Sequence, residues 1–149
     1  MKIHQLSVFI ENRPGQLSFP CKLLSENGID IRTLSLADTK DFGILRLIVN
    51  DWNKAKGVLE DGGCVVKITE VVGIEVPDRP GGLSQVLSVI DQAGINIEYM
   101  YAFTWGRAGK AIMIFRFDRP DDAISVLQKA GMNIVGSADV VTSLGESGQ

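Results

Sequence analysis

The chain carries the same pattern twice. Residues 12–18 read Asn-Arg-Pro-Gly-Gln-Leu-Ser, and sixty-six positions further on residues 78–84 read Asp-Arg-Pro-Gly-Gly-Leu-Ser. The offset holds through Gly28-Ile29-Asp30-Ile31 and Gly94-Ile95-Asn96-Ile97, with 8 identities in the 20 positions that begin at 12. Beyond Ile97 it grows to sixty-eight, so that Ala55, Leu59 and Gly63 fall on Ala123, Leu127 and Gly131. The two extra residues of the second copy belong to its middle turn, around Trp105-Gly106-Arg107-Ala108-Gly109. A repeat that keeps a loop, a helix, a strand and a second helix in one order describes two homologous folding units. In a chain of 149 residues each unit buries only a modest core and gains from packing on a neighbour or on a second chain. The expected boundaries are 1–68 and 69–144, with a tail over 145–149.

Each unit reads strand, helix, strand, strand, helix, strand. Leu6, Val8 and Ile10 alternate with Gln5, Ser7 and Glu11 as a half-buried strand requires, Phe9 being the exception. Asn12 and Asp78 are expected to cap the helices that follow, with Pro14 and Pro80 in the first turn, where a missing N–H costs nothing. Leu83, Val86, Leu87 and Ile90 form an amphipathic stripe, and Gly28 and Gly94 stop the first helix of each copy. Further strands are predicted over 31–38, 44–49, 97–105 and 111–117, second helices over 52–61 and 120–130, and closing strands from Cys64 and Met132. The β-rich run from Cys64 to Val76 joins the copies without a linker, with a break near Gly73. The pattern predicts an α+β fold of two ferredoxin-like βαββαβ units, each an antiparallel sheet with both helices on one face.

The remaining composition excludes several function classes. Net charge is −3, and no stripe of Lys or Arg neutralises phosphates, so nucleic acid is not an expected partner. No apolar run nears the roughly 18 residues of a membrane helix, and Met1–Gln5 has no signal-peptide pattern; a cytoplasmic protein is expected. Cys21 and Cys64 have no framework spacing and read as core filler. His4 is the only histidine, no Cys/His set has metal-ligand spacing, and no phosphate-binding glycine motif occurs. Asp121 and Asp122 stand at a helix start, where carboxylates stabilise the dipole. No catalytic residue, metal or cofactor is expected, and the chain reads as a non-enzyme.

Two βαββαβ units, each with an Asn/Asp-Arg-Pro-Gly-x-Leu turn and a following Gly-Ile-Asx-Ile, resemble ACT domains, small regulatory modules that bind amino acids. The resemblance spans about residues 1–68 and 69–144. It implies units that pair side by side, extend one sheet across the pair, and bind an amino acid at an inter-domain or inter-subunit seam near the turn. It also implies a homodimer and a separate metabolic enzyme as the regulated partner. A helix N-terminus suits the ligand carboxylate. The expected donors are the N–H groups of Gly15, Gln16 and Leu17 in copy one and of Gly81, Gly82 and Leu83 in copy two, beside Pro14 and Pro80. Asn12 or Asp78 would accept from the ammonium; the alternative is that both are plain helix caps. Arg13 and Arg79 are solvated side chains or carboxylate partners. A bulky residue at Gly15 or Gly81 should block the ligand, and should leave the fold intact where φ is negative.

The second copy also carries Tyr99, Tyr101, Phe103 and Trp105 at strand spacing. Their copy-one equivalents include Thr33, Ser35 and Ala37, whereas Leu34 and Leu36 match Met100 and Ala102. A shared register puts the four aromatics on the open sheet face as an interface; a one-residue slip puts them in the core. The alternative function is therefore an interaction subunit that assembles on a partner enzyme through that face without a ligand.

Overall fold

The structure, a computed structural model, describes residues 1–38, 40–103, 106 and 108–142. The elements run β1 (Ile3–Glu11), α1 (Ser18–Glu26), β2 (Ile31–Asp38), β3 (Phe42–Val49), α2 (Trp52–Asp61), β4 (Val65–Pro77), α3 (Gly82–Gln92), β5 (Ile97–Ala102), β6 (Lys110–Phe117), α4 (Pro120–Lys129), β7 (Ile134–Val135) and α5 (Ser137–Thr142). They divide into two compact units, His4–Thr69 and a second made of Met1–Ile3 with the chain from Glu70 on.

In the first unit β3 lies antiparallel between β1 and β2. Leu6 and Val8 stand opposite Leu47 and Leu45, and so do Leu34 and Leu36. Residues directly opposite share a face. That face meets Leu24 of α1 and Ala55 and Leu59 of α2, and Leu6, Val8, Leu45 and Leu47 are wholly buried beneath them. Each such aliphatic side chain contributes about 1.5–3 kcal/mol of transfer free energy. His4 stacks on Trp52 with ring centroids 4.4 Å apart, so the only histidine is a packing residue.

In the second unit β6 pairs with β5 and β4, and β7 pairs with β4. Val72, Ile74, Phe115 and Phe117 bury one face against Val86 and Ile90 of α3 and Ala123 and Leu127 of α4.

The repeat extends to the braces between elements. Gly28 and Gly94 close α1 and α3 as expected. The N–H of Ile29 reaches Leu24 O at 3.0 Å and that of Ile95 reaches Ile90 O at 3.2 Å, the Schellman closure that a left-handed glycine permits. Asn50 Oδ1 accepts the Asp30 N–H at 3.0 Å, and Asp118 Oδ1 accepts the Asn96 N–H at 3.0 Å. Lys54 Nζ donates to the Asn27 carbonyl and an Arg119 Nη to the Gly94 carbonyl, placing a cation on the negative end of each preceding helix.

Two expectations are corrected. β4 does not break at Gly73, which pairs with Ile114 on one side and Val135 on the other. A Cβ there would meet Ile3 Cδ1 at 3.1 Å, so this glycine answers to crowding rather than to a chain break. β5 ends at Ala102 rather than at 105, and α5 had no expectation to match. Trp105 and the tail 145–149 lie outside the described residues. Among the described residues no helix is long and apolar enough to cross a membrane.

Candidate functional site

The two Arg-Pro-Gly turns have the same internal hydrogen bonds, one for one. The N–H of Arg13 reaches Glu11 O at 3.0 Å, and that of Arg79 reaches Pro77 O at 2.9 Å. The N–H of Gln16 closes on Arg13 O at 3.3 Å, and that of Gly82 on Arg79 O at 3.0 Å. The middle turns tie down both loops, through Asn12 N–H to Asp41 O at 2.9 Å and Asp78 N–H to Gly109 O at 3.0 Å. Proline stands second in each four-residue turn and glycine third, with φ +86° at Gly15 and φ +87°, ψ −11° at Gly81. This is a type II β-turn, which needs positive φ at its third residue.

That geometry overturns the capping expectation. The N-cap positions are Leu17 and Gly81, and neither α1 nor α3 has a side-chain cap. Asn12 and Asp78 stand further upstream, and Pro14 and Pro80 belong to the turn rather than to a helix. The plain-cap alternative for Asn12 and Asp78 falls with it. The condition set on the bulky substitution is not met: space beside Gly15 and Gly81 is open, but φ is positive at both and strains any side chain.

The turns differ in three ways. First, α3 begins at Gly82, whereas α1 begins at Ser18, beyond the equivalent Gln16. The first helical bonds are equivalent, Phe19 N–H to Gly15 O and Gln85 N–H to Gly81 O. Pro20 then has no N–H to continue the ladder in copy one, where Val86 continues it in copy two. Second, Gly82 is buried, and a Cβ on it would overlap the Pro77 carbonyl oxygen, whereas Gln16 carries a full side chain. Third, the charges differ. Arg13 Nε donates to Glu11 Oε2 at 2.8 Å, and Asn12 Nδ2 makes a long 3.4 Å bond to Lys40 O. Among the described residues the side chains of Asp78 and Arg79 have no partner.

Of the six expected donors, Gln16 and Gly82 are therefore spent inside the turn. The N–H groups of Gly15, Leu17, Gly81 and Leu83 have no acceptor among the described residues. Gly15, Leu17 and Gly81 are exposed and Leu83 is half-buried. Each turn offers unpaired N–H groups at the positive end of a helix, and the second adds a carboxylate and a guanidinium at its mouth. An open cleft of about 350 Å³ lies elsewhere, lined by Cys21, Ser25, Gly28, Ile29, Asp30 and Ile31 at the C-terminal end of α1. Burial pushes the Cys21 thiol up from its ordinary range. Among the described residues no three His, Cys, Asp or Glu side chains gather as metal ligands.

The aromatic row divides. Met100 packs on the second core, which turns Tyr99 and Tyr101 to the other face, where both are half-buried. Phe103 is only 8 % exposed, so its ring offers no free surface, and its place in the interface row is corrected. The exposed large apolar residues lie mostly in the first unit: Phe9, Phe42, Leu34 and Leu36 among them. Leu34 and Leu36 keep the expected parity, yet α1 and α2 leave them uncovered. No local sequence signal marks that, because coverage depends on where a helix lies across the sheet.

Comparison with known proteins agrees with this geometry. A family model described as an ACT domain pair matches residues 1–144. The crystal structure of protein BT0572 from Bacteroides thetaiotaomicron superposes with a TM-score of 0.89 at 37% identity, covering 95% of this chain and 97% of that one. The regulatory subunit of aspartate kinase from Thermus thermophilus shares the fold, with a TM-score of 0.61 at 16% identity over 85% of this chain and 91% of that one. The acetolactate synthase small subunit of Buchnera aphidicola subsp. Baizongia pistaciae (strain Bp) is 29% identical over 80 residues, which is 53% of this chain and 50% of that protein. The chain thus spans about half the length of the curated relative it matches. With the family model covering nearly its whole length, and two turns repeating bond for bond, the chain belongs to the ACT domain pair family.

Proposed function

We propose that this protein is a non-catalytic cytoplasmic regulator that binds a free amino acid and, as a homodimer, modulates a separate metabolic enzyme. One observation carries the reading: at the second turn the Asp78 carboxylate, the Arg79 guanidinium and the N–H groups of Gly81 and Leu83 have no partner among the described residues. An amino-acid zwitterion needs that set. Its ammonium pairs with Asp78, and its carboxylate accepts from the turn amides at the positive end of α3, with Arg79 adding a charge. Pro80 holds the turn and Gly82 lets the chain fold tightly behind it. The first turn, with Asn12, Pro14, Gly15, Gln16 and Leu17, is the weaker site, because Glu11 neutralises Arg13 and Asn12 brings no charge. The name of the matched relative, a small subunit of acetolactate synthase, supports a role beside a separate enzyme.

Regulation follows from linkage. A ligand moves an equilibrium only by its differential affinity for the two states, so the effect on the partner enzyme is bounded by that difference. A thermal-shift screen of the twenty amino acids tests the proposal. Binding raises stability as RT ln(1 + [L]/Kd), about 2.7 kcal/mol at a hundredfold excess over Kd. Asp78→Ala should abolish the shift and Asn12→Ala should keep it; a flat response to all twenty at millimolar concentration sinks the ligand reading. The exposed Phe9 and Phe42, on the sheet face away from the helices, favour a second reading, a ligand-independent interaction subunit that assembles on a partner enzyme through that face. Co-purification with an enzyme together with that flat response would select it.

A further inference from the structure

We propose that the enlarged middle turn of the second unit, at Ala108-Gly109, is the positioning element of the ligand turn: it aims the Asp78 carboxylate through the hydrogen bond from the Asp78 N–H to the Gly109 carbonyl. The inference deepens the amino-acid reading above and rests on it. Among the described residues the Asp78 carboxylate takes no donor, so its placement depends on the backbone that carries it. That backbone is pinned at 3.0 Å by Gly109 O, and the neighbouring Pro77 pairs with Lys110. Lys110 Nζ turns to Glu75 at 3.6 Å, so the cation beside this turn leaves Asp78 open.

Ala108 is the only non-glycine with positive φ among the described residues, at +51°, and Gly109 follows at +73°. Two successive positive φ values are what the centre of a type I′ hairpin turn needs, and Asn-Gly is the pair that meets them at least cost. Alanine there is strained, because its Cβ crowds the following carbonyl oxygen. Such a conformation persists only where its surroundings fix it. Here the Asp78 N–H holds one carbonyl of the turn, Gly109 O. A Cβ on Gly106 would overlap the next, Lys110 O, so the chain closes tightly on that side too.

The repeat supplies the comparison. The first copy makes the equivalent bond, Asn12 N–H to Asp41 O at 2.9 Å, from a turn two residues shorter and with no positive φ among its described residues. The two extra residues are therefore not required for the bond itself. Asn12 has a second tether, from its Nδ2 to Lys40 O at 3.4 Å. An ionised aspartate has no N–H to offer and cannot use one. The copy whose carboxylate stays open is the copy with the enlarged middle turn. That turn supplies, through strained backbone, the placement that Asn12 gets partly from its own side chain.

Hydrogen exchange of the Asp78 amide, read by NMR on the full chain, tests the placement without any ligand. Ala108→Val puts a β-branched side chain at positive φ, where it does not fit. It should speed that exchange about tenfold, while the Asn12 amide and the far-ultraviolet dichroism spectrum stay unchanged. The same variant should weaken by about tenfold the affinity for whichever of the twenty amino acids shifts the wild type in the thermal screen. Ala108→Gly, which tolerates the conformation, should exchange no faster than wild type and bind no more weakly. Gly109→Ala, with open space beside it but φ +73°, should act like the valine more weakly, and decides the matter if the valine chain does not fold. An Asp78 amide that exchanges as in wild type in both Ala108→Val and Gly109→Ala overturns the placement, as does faster exchange with undiminished affinity. A wild type that answers none of the twenty removes the ligand reading, and the exchange rates still decide whether this turn holds Asp78.

Discussion

Replacing Gly82 by alanine tests whether the second turn is built around a backbone approach. The new Cβ would overlap the Pro77 carbonyl oxygen, and the Pro77 carbonyl carbon would lie 3.0 Å away. That oxygen is not free to swing aside, because it accepts the Arg79 N–H at 2.9 Å. Alanine gains about 1 kcal/mol over glycine in a helix, whereas forcing a methyl group into a packed site costs about 1–3 kcal/mol, and giving up the hydrogen bond costs about 1 kcal/mol more. The net expectation is a loss of about 2 kcal/mol. In a unit of this size that is a fall of roughly 10 °C in Tm. Urea unfolding followed by far-ultraviolet dichroism measures it, with Gln16→Ala as the control at the equivalent position, expected within about 0.5 kcal/mol of wild type. Gly81→Ala, with open space but φ +87°, should lose about 1–2 kcal/mol from backbone strain alone. A Gly82→Ala protein as stable as wild type would falsify the packing account of this turn.

Two further outcomes follow from the same geometry. Asp51 Oδ1 accepts the Lys54 N–H at 3.1 Å and caps α2, so Asp51→Ala should cost about 1 kcal/mol in urea unfolding; Asn12→Ala, which removes no cap, should change little, and equal losses would overturn the assignment. Burial raises the thiols of Cys21 and Cys64 above their ordinary 9.0. Their folded state favours the protonated form, so this contribution is intact below pH 9 and is lost as pH climbs through the raised values. Alkylation by iodoacetamide at pH 8.5 should run slower in the folded chain than in urea, and equal rates would contradict the burial.

Much of the architecture is legible in local pattern. β2 and α2 have the predicted limits, and Gly28 and Gly94 end their helices, because period and stop signals act over a few residues. The turn itself was harder to read. Asn/Asp-x-Pro is compatible with a helix start and also with a type II turn, and only the positive φ at Gly15 and Gly81 separates them. Pro20 stands in the first turn of α1, where a proline is tolerated, and it has no N–H with which to extend the bond made by Phe19 to Gly15.

The duplication by itself determined that the chain makes two α+β units of one kind, because a repeated order of loop, helix and strand admits little else. It also determined which residues alternate toward the core, since strand period is a property of the backbone. Tertiary structure alone decided which turn keeps its charges unpaired, where a carbonyl crowds out a side chain, and which edge leaves its leucines in water. Those outcomes depend on how the side chains and helices are placed in space rather than on period: Glu11 turns to Arg13, two residues away, while nothing described reaches Arg79, and the helices cover Leu45 and Leu47 but stop short of Leu34 and Leu36.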